Sequence, residues 1–548
     1  MAVPDIFQYG SASEYSVVNA FLTIYACYIL GVAIHRLFFS RYAKFPGPRL
    51  AALTYGYMFY YDVIAGDGQY MYKIKDLHEK YSERLYQYSP VIRISPHELH
   101  VIDPDFYEVL FAGAYTKRDK PPTWSHAFSN FDSVFGTIDH DKHKVRRSAL
   151  NAFFSPSSLR KLEPLIQDSI SRLIAVFRQY QKSGEAIQMK AAFGAMTNDI
   201  IAEYCFGISE NYIDTPNFNA EAVKAADDLT ESMHITVQVQ WLPKLLNRLP
   251  DRWTESIFGH GMAKLNEMKR HSIRKIKETI SSRGDFRNVK HRTIFHDLLD
   301  NPNLPEEDKT VDRLWQEAQL LLTAGTVTTA TSISSALVYL LLDPRRLGVL
   351  LEELETAVPD ITKPKSSTEL ENLPYLNAVV QEILRLVTGV SYRLVRSAPN
   401  ETLQLGKWSI PPNTAVSMHA PLIHHSPDLF PEPWSFIPER WLADPGPAGL
   451  PARPSNIPPA NPKYLVPLSK GTRQCIGQPL AHAEIHMTLA CVLRTFARAE
   501  RDEHGEFIGI KGIKLFRTDR RDTDLKRDLG FPAPEKGRGN MRIVLEGL

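Results

Sequence analysis

Cysteine is scarce in this chain of 548 residues, and its four cysteines lie far apart in sequence. That spacing excludes a disulfide scaffold, a zinc ribbon and a C-x-x-C redox pair. The sequence also lacks a G-x-x-x-x-G-K-[S/T] phosphate loop and a G-x-G-x-x-G turn, so it indicates no nicotinamide or flavin site. It contains no internal repeat, which excludes a solenoid or a propeller built from copies of one unit.

An excess of charge of one sign is also absent. Lys and Arg number 64 and Asp and Glu number 62, which leaves a formal net charge of +2. This balance argues against a chain that binds nucleic acid along its whole length, so no nucleic acid is expected as a partner. The hydrophobic content of 43% is that of a globular protein with a large core.

One long apolar run stands near the amino terminus, from Val17 to Ile34. Basic residues follow it and Asp5 and Glu14 precede it, which places the downstream side in the cytosol. We therefore predict a luminal segment at residues 1–16 and a single membrane anchor at residues 17–39. The alternative is a cleaved signal peptide, but that would carry its basic residues before the apolar run.

A Pro/Gly cluster within residues 40–50, Phe45-Pro46-Gly47-Pro48, predicts a stiff hinge after the anchor. No later linker is long enough to separate two domains, so residues 51–548 are expected to form one domain. A Pro-rich stretch in it lacks apolar periodicity and predicts a long loop. Its prolines are Pro445, Pro447, Pro451, Pro454, Pro458, Pro459 and Pro462.

Helical periodicity dominates this domain. The clearest predicted helices are Leu159–Tyr180, Asp312–Leu342 and Pro374–Leu386. The middle one has no charged residue from Ala318 onward and should be buried on nearly all sides. Short alternating runs at Val91–Ile94 and Met541–Val544 predict strands. The fold class is therefore mainly α with small β-sheets.

The most informative segment is the cysteine loop, in which Gly471 and Gly477 bracket Cys475 before a predicted helix. Glycines let a backbone pass close to a bulky planar ligand, and the following helix N-terminus and nearby cations would stabilise a thiolate. Such a cysteine can be a metal ligand or a nucleophile. The alternative is a buried cysteine that acts only as a small hydrophobic residue.

Two further segments carry polar residues at helical spacing. Glu382 and Arg385 share one face of the predicted helix 374–386 beside an apolar stripe, which favours a buried pair over a surface ion pair. Residues 324–329, Ala-Gly-Thr-Val-Thr-Thr, interrupt the long apolar helix with small and hydroxyl side chains. These hydroxyls can hold water, or they can simply bond back to carbonyls one turn earlier.

Together these segments resemble the cytochrome P450 family. Gly471, Arg473, Cys475 and Gly477 match its F-x-x-G-x-R-x-C-x-G loop, with Leu468 at the position of the aromatic. The segment 382–385 is similar to the family's E-x-x-R, segment 436–441 to its P-E-R-F, and segment 324–329 to its A-G-x-[D/E]-T-[T/S]. The resemblance implies the cytochrome P450 fold, a single haem domain after an N-terminal transmembrane helix.

The resemblance also implies roles for these residues. Cys475 would be the axial ligand of the iron in haem b, iron protoporphyrin IX. Glu382, Arg385 and Arg440 would form a hydrogen-bonded structural triad. Ala324 and Gly325 would let the macrocycle approach the long helix.

By the same resemblance Thr328 would be the oxygen-activation threonine. The chain departs from the family beside it, because Val327 stands where an acid is usual. No acid lies between Glu317 and Asp343, so the proton relay is expected to use Thr328, water or the substrate.

Cations are expected along the haem edge because haem carries two propionates. Arg473 is one candidate, together with its neighbours Gly471 and Gly477 in the loop. His143 and Arg147 resemble the family's W-x-x-x-R helix, with His143 in place of the Trp, and Arg396 resembles the arginine of the strand after the E-x-x-R helix. The alternative for His143, Arg147 and Arg396 is an ordinary surface position.

The activity implied is a monooxygenase that inserts one atom of O2 into a hydrophobic small molecule. The expected partners are NADPH-cytochrome P450 reductase and membrane lipid, with the chain in the endoplasmic reticulum membrane. Its likeness to fungal microsomal members suggests a terpenoid or polyketide intermediate, although the candidate substrate loops 120–135 and 214–233 carry no motif. Two alternatives remain: a reductase-independent haem-thiolate isomerase or dehydratase, and a non-catalytic haem-binding protein.

Overall fold

The structure is a computed structural model that describes residues 12–84, 89–113, 115–125, 130–281, 293–363, 365–443 and 449–548. Three sequence predictions fall partly outside these residues. They are the luminal segment up to residue 11, residues 126–129 of the loop 120–135, and Pro445 and Pro447 of the Pro-rich loop.

Helices make up most of the described chain, as the sequence predicts. The α-helices are α1 Ala12–Ile34, α2 Arg49–Leu53, α3 Gly56–Phe59, α4 Tyr70–Arg84, α5 Phe106–Leu110, α6 Pro122–Ser125, α7 His140–Asn151, α8 Pro156–Ser183, α9 Met189–Phe206, α10 Ala220–Glu231, α11 Met233–Thr236, α12 Trp241–Leu246, α13 Asp251–Phe258, α14 His260–Ser281, α15 Ile294–Asp300, α16 Val311–Leu342, α17 Pro344–Ala357, α18 Ser367–Glu371, α19 Pro374–Val387, α20 Ala420–His424 and α21 Gln478–Phe496. Two π-helical segments are His35–Phe39 and Tyr60–Ile64. Short 3₁₀ segments are Tyr212–Asp214, Pro216–Asn219, Glu306–Lys309, Pro438–Trp441, Pro462–Tyr464, Gly471–Arg473 and Arg520–Asp522.

The strands are short and form small sheets. They are β1 Val91–Ser95, β2 Glu98–Val101, β3 Ile187–Gln188, β4 Leu394–Arg396, β5 Leu403–Leu405, β6 Trp408–Ile410, β7 Ala415–Met418, β8 Arg498–Arg501, β9 Phe507–Lys511, β10 Ile513–Leu515, β11 Arg527–Asp528, β12 Pro532–Ala533 and β13 Arg542–Leu545. The largest sheet has the order β1-β2-β7-β4, in which β2 and β7 pair in parallel. A second sheet has the order β10-β13-β3, and three hairpins complete the set.

Two described helical segments are long and apolar enough to cross a membrane, Val17–Phe39 and Val311–Leu342. They differ in burial, because the first makes no packing contact that buries it, whereas 72% of the second lies inside the protein. Helix α16 is therefore the central core helix, as its continuous apolar composition predicts. The first segment is the helix that could span a membrane.

The segment after α1 is fixed to the body. The Arg36 guanidinium bonds the Leu53 carbonyl, and the Arg93 guanidinium bonds the Arg36 carbonyl at 2.7 Å. In the Pro/Gly cluster the Pro46 carbonyl accepts the Arg93 N–H at 2.7 Å, and a Cβ on Gly47 would lie 2.3 Å from the Arg93 oxygen. The cluster is thus docked on β1 by a contact that only glycine permits.

Candidate functional site

The backbone of the cysteine loop fixes its shape. The Cys475 N–H donates to the Leu468 carbonyl at 2.9 Å, which closes the loop just before α21. Gly471 has φ +73°, and a Cβ there would lie 2.3 Å from the Ala112 carbonyl oxygen. For a Cβ on Gly477, at φ −80°, no protein atom lies within 4 Å. The first glycine is therefore required by its conformation and by the protein around it, whereas the protein places no such requirement on the second.

The Cys475 thiol is solvent-accessible although protein surrounds it. Burial raises the pKa of this thiol, while the N–H groups of Gly477 and Gln478 and the charge of Arg147 oppose that effect. The Arg147 guanidinium also donates to the Gln474 carbonyl at 2.9 Å. Arg147 thus lies against the cysteine loop itself, at the position where a positive charge would stabilise a thiolate.

Cations converge beside this loop, around the buried His143 on α7. Its pKa is held well below the ordinary value, first by burial and then by four neighbouring positive charges. These are Arg473, Lys120, Arg147 and Arg396. Sequence reasoning did not single out Lys120, which lies in a loop without a motif.

Among the described residues none of these four cations forms an ion pair. Burial lowers the pKa of Arg396 to about 10, and burial together with Arg396 lowers that of Arg473 to about 9. Arg473 Nε and His143 Nδ1 are buried and have no hydrogen-bond partner. Lys120 and Arg396 are buried, and Arg147 and Arg473 are half-buried. Such positive charges, together with the unpaired polar atoms, fit a ligand that carries two carboxylates, as haem does.

The middle of α16 opens toward solvent-accessible space on one side. Ala324 is exposed and Thr328 is half-buried, although most of the helix around them is buried. The Thr328 hydroxyl donates to the Ala324 carbonyl at 2.9 Å, the bond expected of a helical threonine. Val327 is buried, so α16 presents a hydroxyl here without an adjacent carboxylate.

Gly325, which is expected to let the macrocycle approach α16, lies against α9 in the structure. A Cβ at this position would lie 3.2 Å from the Ile201 side chain of α9. Thr326, the next residue, bonds Asn198 of α9 at 3.1 Å, and its carbonyl accepts the Thr197 hydroxyl. Gly325 and Thr326 therefore take part in the close packing of α16 on α9, and Ala324 and Thr328 lie on the open side.

The Glu382 carboxylate is the centre of a fully buried polar cluster. Arg385 bonds both of its oxygens, at 2.7 and 2.9 Å, and Arg440 bonds one of them at 3.2 Å. The Ile437 N–H and the indole N–H of Trp441 add bonds at 2.9 and 2.8 Å. Burial would raise the Glu382 pKa, but the two arginines and the Ile437 N–H hold it below its usual value. Trp441, which stands at the Phe position of P-E-R-F, thus gives this carboxylate one more donor than a Phe could.

Comparison with known proteins decides the family. The family model described as Cytochrome P450 matches residues 46–509. The chain belongs to the cytochrome P450 family. Three similar proteins support this and are all fungal. The cytochrome P450 monooxygenase tpcC of Cochliobolus heterostrophus is 38% identical, and the alignment covers 94% of each chain.

The other two relatives differ in the compounds for which they are named. The tryptophan 6-hydroxylase fscE of Fusarium equiseti is 36% identical over 95% of both chains. The conidiogenone synthase PchP450 of Penicillium rubens is 34% identical over 94% of this chain and 97% of its own. Membership makes this P450 an oxidoreductase with haem iron that uses O2, a substrate and a redox partner. The isomerase and non-catalytic alternatives are not favoured.

Proposed function

We propose that this P450 binds haem b through Cys475 and inserts one oxygen atom into a hydrophobic intermediate of fungal secondary metabolism. The observation that carries the proposal is the group of buried and half-buried cations beside the cysteine loop that precedes α21. Among the described residues these cations have no carboxylate partner. Haem b fits because its iron takes a thiolate and its edge carries two carboxylates.

The chain's residues would divide the work as follows. Cys475 gives the iron its thiolate, which Arg147 and the N–H groups of Gly477 and Gln478 stabilise. Arg473 and Arg396, with the sequence-predicted His143 and the additional Lys120, hold the propionates. When bound, the haem supplies oxygen activation and oxidation of a C–H bond.

Thr328 is the proposed proton-handling residue. Its hydroxyl stands on the open side of α16 and can exchange the bond to the Ala324 carbonyl for one to water or substrate. Because Val327 provides no carboxylate, the proposed proton relay uses the hydroxyl, water or the substrate itself.

The proposals for the location in the cell, the redox partner and the substrate class rest on the anchor helix and on the relatives. We propose a single-pass anchor over residues 17–39 in the endoplasmic reticulum membrane, with residues 1–16 luminal and the body cytosolic in contact with lipid. NADPH-cytochrome P450 reductase would then be the redox partner. A terpenoid or polyketide is the proposed substrate class, on the basis of the likeness to fungal microsomal members.

The first test is the carbon-monoxide difference spectrum of reduced membranes. We expect a thiolate-type Soret band in the wild type, no such band in Cys475→Ala, and a normal band in Cys491→Ala, a half-buried cysteine of α21. A wild type that incorporates haem without that band would overturn the ligand assignment. Product formation that needs neither NADPH nor O2 would overturn the monooxygenase.

A further inference from the structure

Three buried histidines form a continuous chain that the proposed reaction does not use. His78 Nε2 lies 2.8 Å from His100 Nδ1, and His100 Nε2 lies 2.9 Å from His419 Nδ1. At one end His78 Nδ1 faces the Ser89 carbonyl at 3.4 Å. At the other end His419 Nε2 faces Asp528 Oδ2 at 3.7 Å and has no hydrogen-bond partner. The chain thus connects α4, β2, the end of β7 and β11.

Hydrogen-bond direction is transmitted along this chain. Burial lowers the pKa of all three histidines far below their ordinary value, so each imidazole is neutral and carries one N–H. If His78 donates to the Ser89 carbonyl, His100 must donate to His78 and His419 to His100. The His419 Nε2 lone pair then faces Asp528, and the two attract only when a proton lies between them. With an Asp528 carboxylate the whole chain must reverse and lose its bond to Ser89.

Asp528 also forms hydrogen bonds to three segments of the chain. Its Oδ1 accepts the Ser391 hydroxyl at 2.6 Å and the Gly530 N–H at 3.2 Å. Its own N–H donates to the Gly68 carbonyl at 2.9 Å. The Ser391 and Tyr392 N–H groups in turn donate to the Gly530 carbonyl. The hairpin β11–β12 is therefore docked on residues 391–392 through this one side chain and its neighbours.

Tyr392, in the segment on which the hairpin is docked, belongs to an aromatic pair that lies close to Lys120. The rings of Tyr392 and Trp124 stack at 5.4 Å with an interplanar angle of 1°. Phe531 of the hairpin and Met233 belong to the same apolar cluster. Trp124 follows Lys120 by four residues and packs on Phe135, whose ring lies 3.4 Å from the Lys120 ammonium. The cluster thus borders the proposed haem site.

Among the described residues, no cation forms an ion pair with Asp528 alone. Arg393 is the nearby guanidinium, and it already pairs with Glu98 at 2.7 Å. Asp62 is a second buried acid, held by the Tyr70 N–H and by the Gln238 amide at 2.9 Å. The carboxyl groups of Asp528, Glu98 and Asp62 therefore lie near one arginine and three neutral imidazoles.

We propose that Asp528 is a positioning residue for the Tyr392–Trp124 pair, and that the histidine chain behind it makes this positioning depend on one shared proton. Its relevance to substrate rests on the proposed function, whereas the proton-dependent docking does not. Protonated Asp528 would close the gap of 3.7 Å, donate to His419 and keep the hairpin docked. When Asp528 is ionised, the chain either keeps its direction and sets the His419 lone pair against the carboxylate, or reverses and loses its bond to Ser89. Each arrangement costs free energy that the protonated acid avoids, and this cost loosens the docked hairpin.

The sign of the pH dependence follows from the direction of the shift. Burial raises the Asp528 pKa to about 6, which Ser391, Gly530 and Arg393 only partly oppose. An acid whose pKa is raised in the docked state stabilises docking at low pH, and this contribution is lost as pH rises through about 6. Burial also raises the Asp62 pKa, to about 8, so a second change is expected there.

Amide hydrogen exchange of the full chain measures this docking, and the measurement requires no catalytic turnover. We expect protection in peptides covering residues 388–395 and 527–533 to fall between about pH 4 and pH 7, by up to about 100-fold for a shift of about two units. In Asp528→Asn the fall should vanish, because the amide donates to His419 as the protonated acid does. Asp524→Asn, a nearby acid outside the chain, should keep the wild-type profile.

Two results would contradict the proposal: a flat wild-type profile, or an unchanged decline in Asp528→Asn. If Asp528→Asn does not fold, His419→Gln replaces it. The Gln amide donates to ionised Asp528, so the decline should move to lower pH, and an unmoved decline would overturn the assignment.

Discussion

At the scale of single residues, the glycines of the cysteine loop are not equivalent. Gly471→Ala would place a Cβ at φ +73° and 2.3 Å from a backbone oxygen, whereas no protein atom lies within 4 Å of a Cβ on Gly477. We expect Gly471→Ala to lower the unfolding temperature and to lose most of its haem, measured as the ratio of haem to protein absorbance. Gly477→Ala should keep the unfolding temperature of the haem-free wild type, and an equal loss of stability in the two variants would contradict this account of the loop.

Two of the threonines of α16, Thr326 and Thr328, also differ in their surroundings. Thr328 faces the open side, and Thr326 bonds Asn198 of α9. We expect Thr328→Ala to form product at least about 10-fold more slowly with an unchanged carbon-monoxide spectrum, since a positioned proton donor contributes about 10²–10⁴-fold. Thr326→Ala should instead lower stability and leave product formed per NADPH unchanged.

At the scale of elements, the contact between α16 and α9 depends on Gly325. An added Cβ would lie 3.2 Å from Ile201, and overpacking of this kind costs about 1–3 kcal/mol against about 1 kcal/mol gained in helix propensity. We expect Gly325→Ala to lower the free energy of unfolding in urea, and the double variant with Ile201→Val to recover part of the loss. A stabilised single variant would show that Ile201 moves aside freely.

At the scale of the whole molecule, the end of the proposed anchor, residues 35–39, is also the place where the chain contacts the body. The side chains of Val17–Ile34 are almost all exposed, whereas Arg36 bonds Leu53 and accepts a bond from Arg93. We expect removal of residues 1–34 to reduce the fraction that resists carbonate extraction from membranes while the body keeps its carbon-monoxide spectrum.

A longer truncation provides the comparison for that boundary. Removal of residues 1–39 also deletes Arg36 and should lower the unfolding temperature relative to the shorter truncation. Equal unfolding temperatures would contradict a structural role for Arg36.

The sequence by itself determined the family, the mainly helical fold, the apolar first helix and the motif residues. These features depend on local periodicity and on residues fixed by fold-specific chemistry, such as Cys475 before a helix. It could not separate Gly471 from Gly477 or assign Gly325 to α9, because those roles depend on atoms distant in the chain. Only the tertiary structure brought Lys120 beside His143 and joined His78, His100 and His419 to Asp528. No local pattern marks such contacts, since each is made between elements that fold together only in three dimensions.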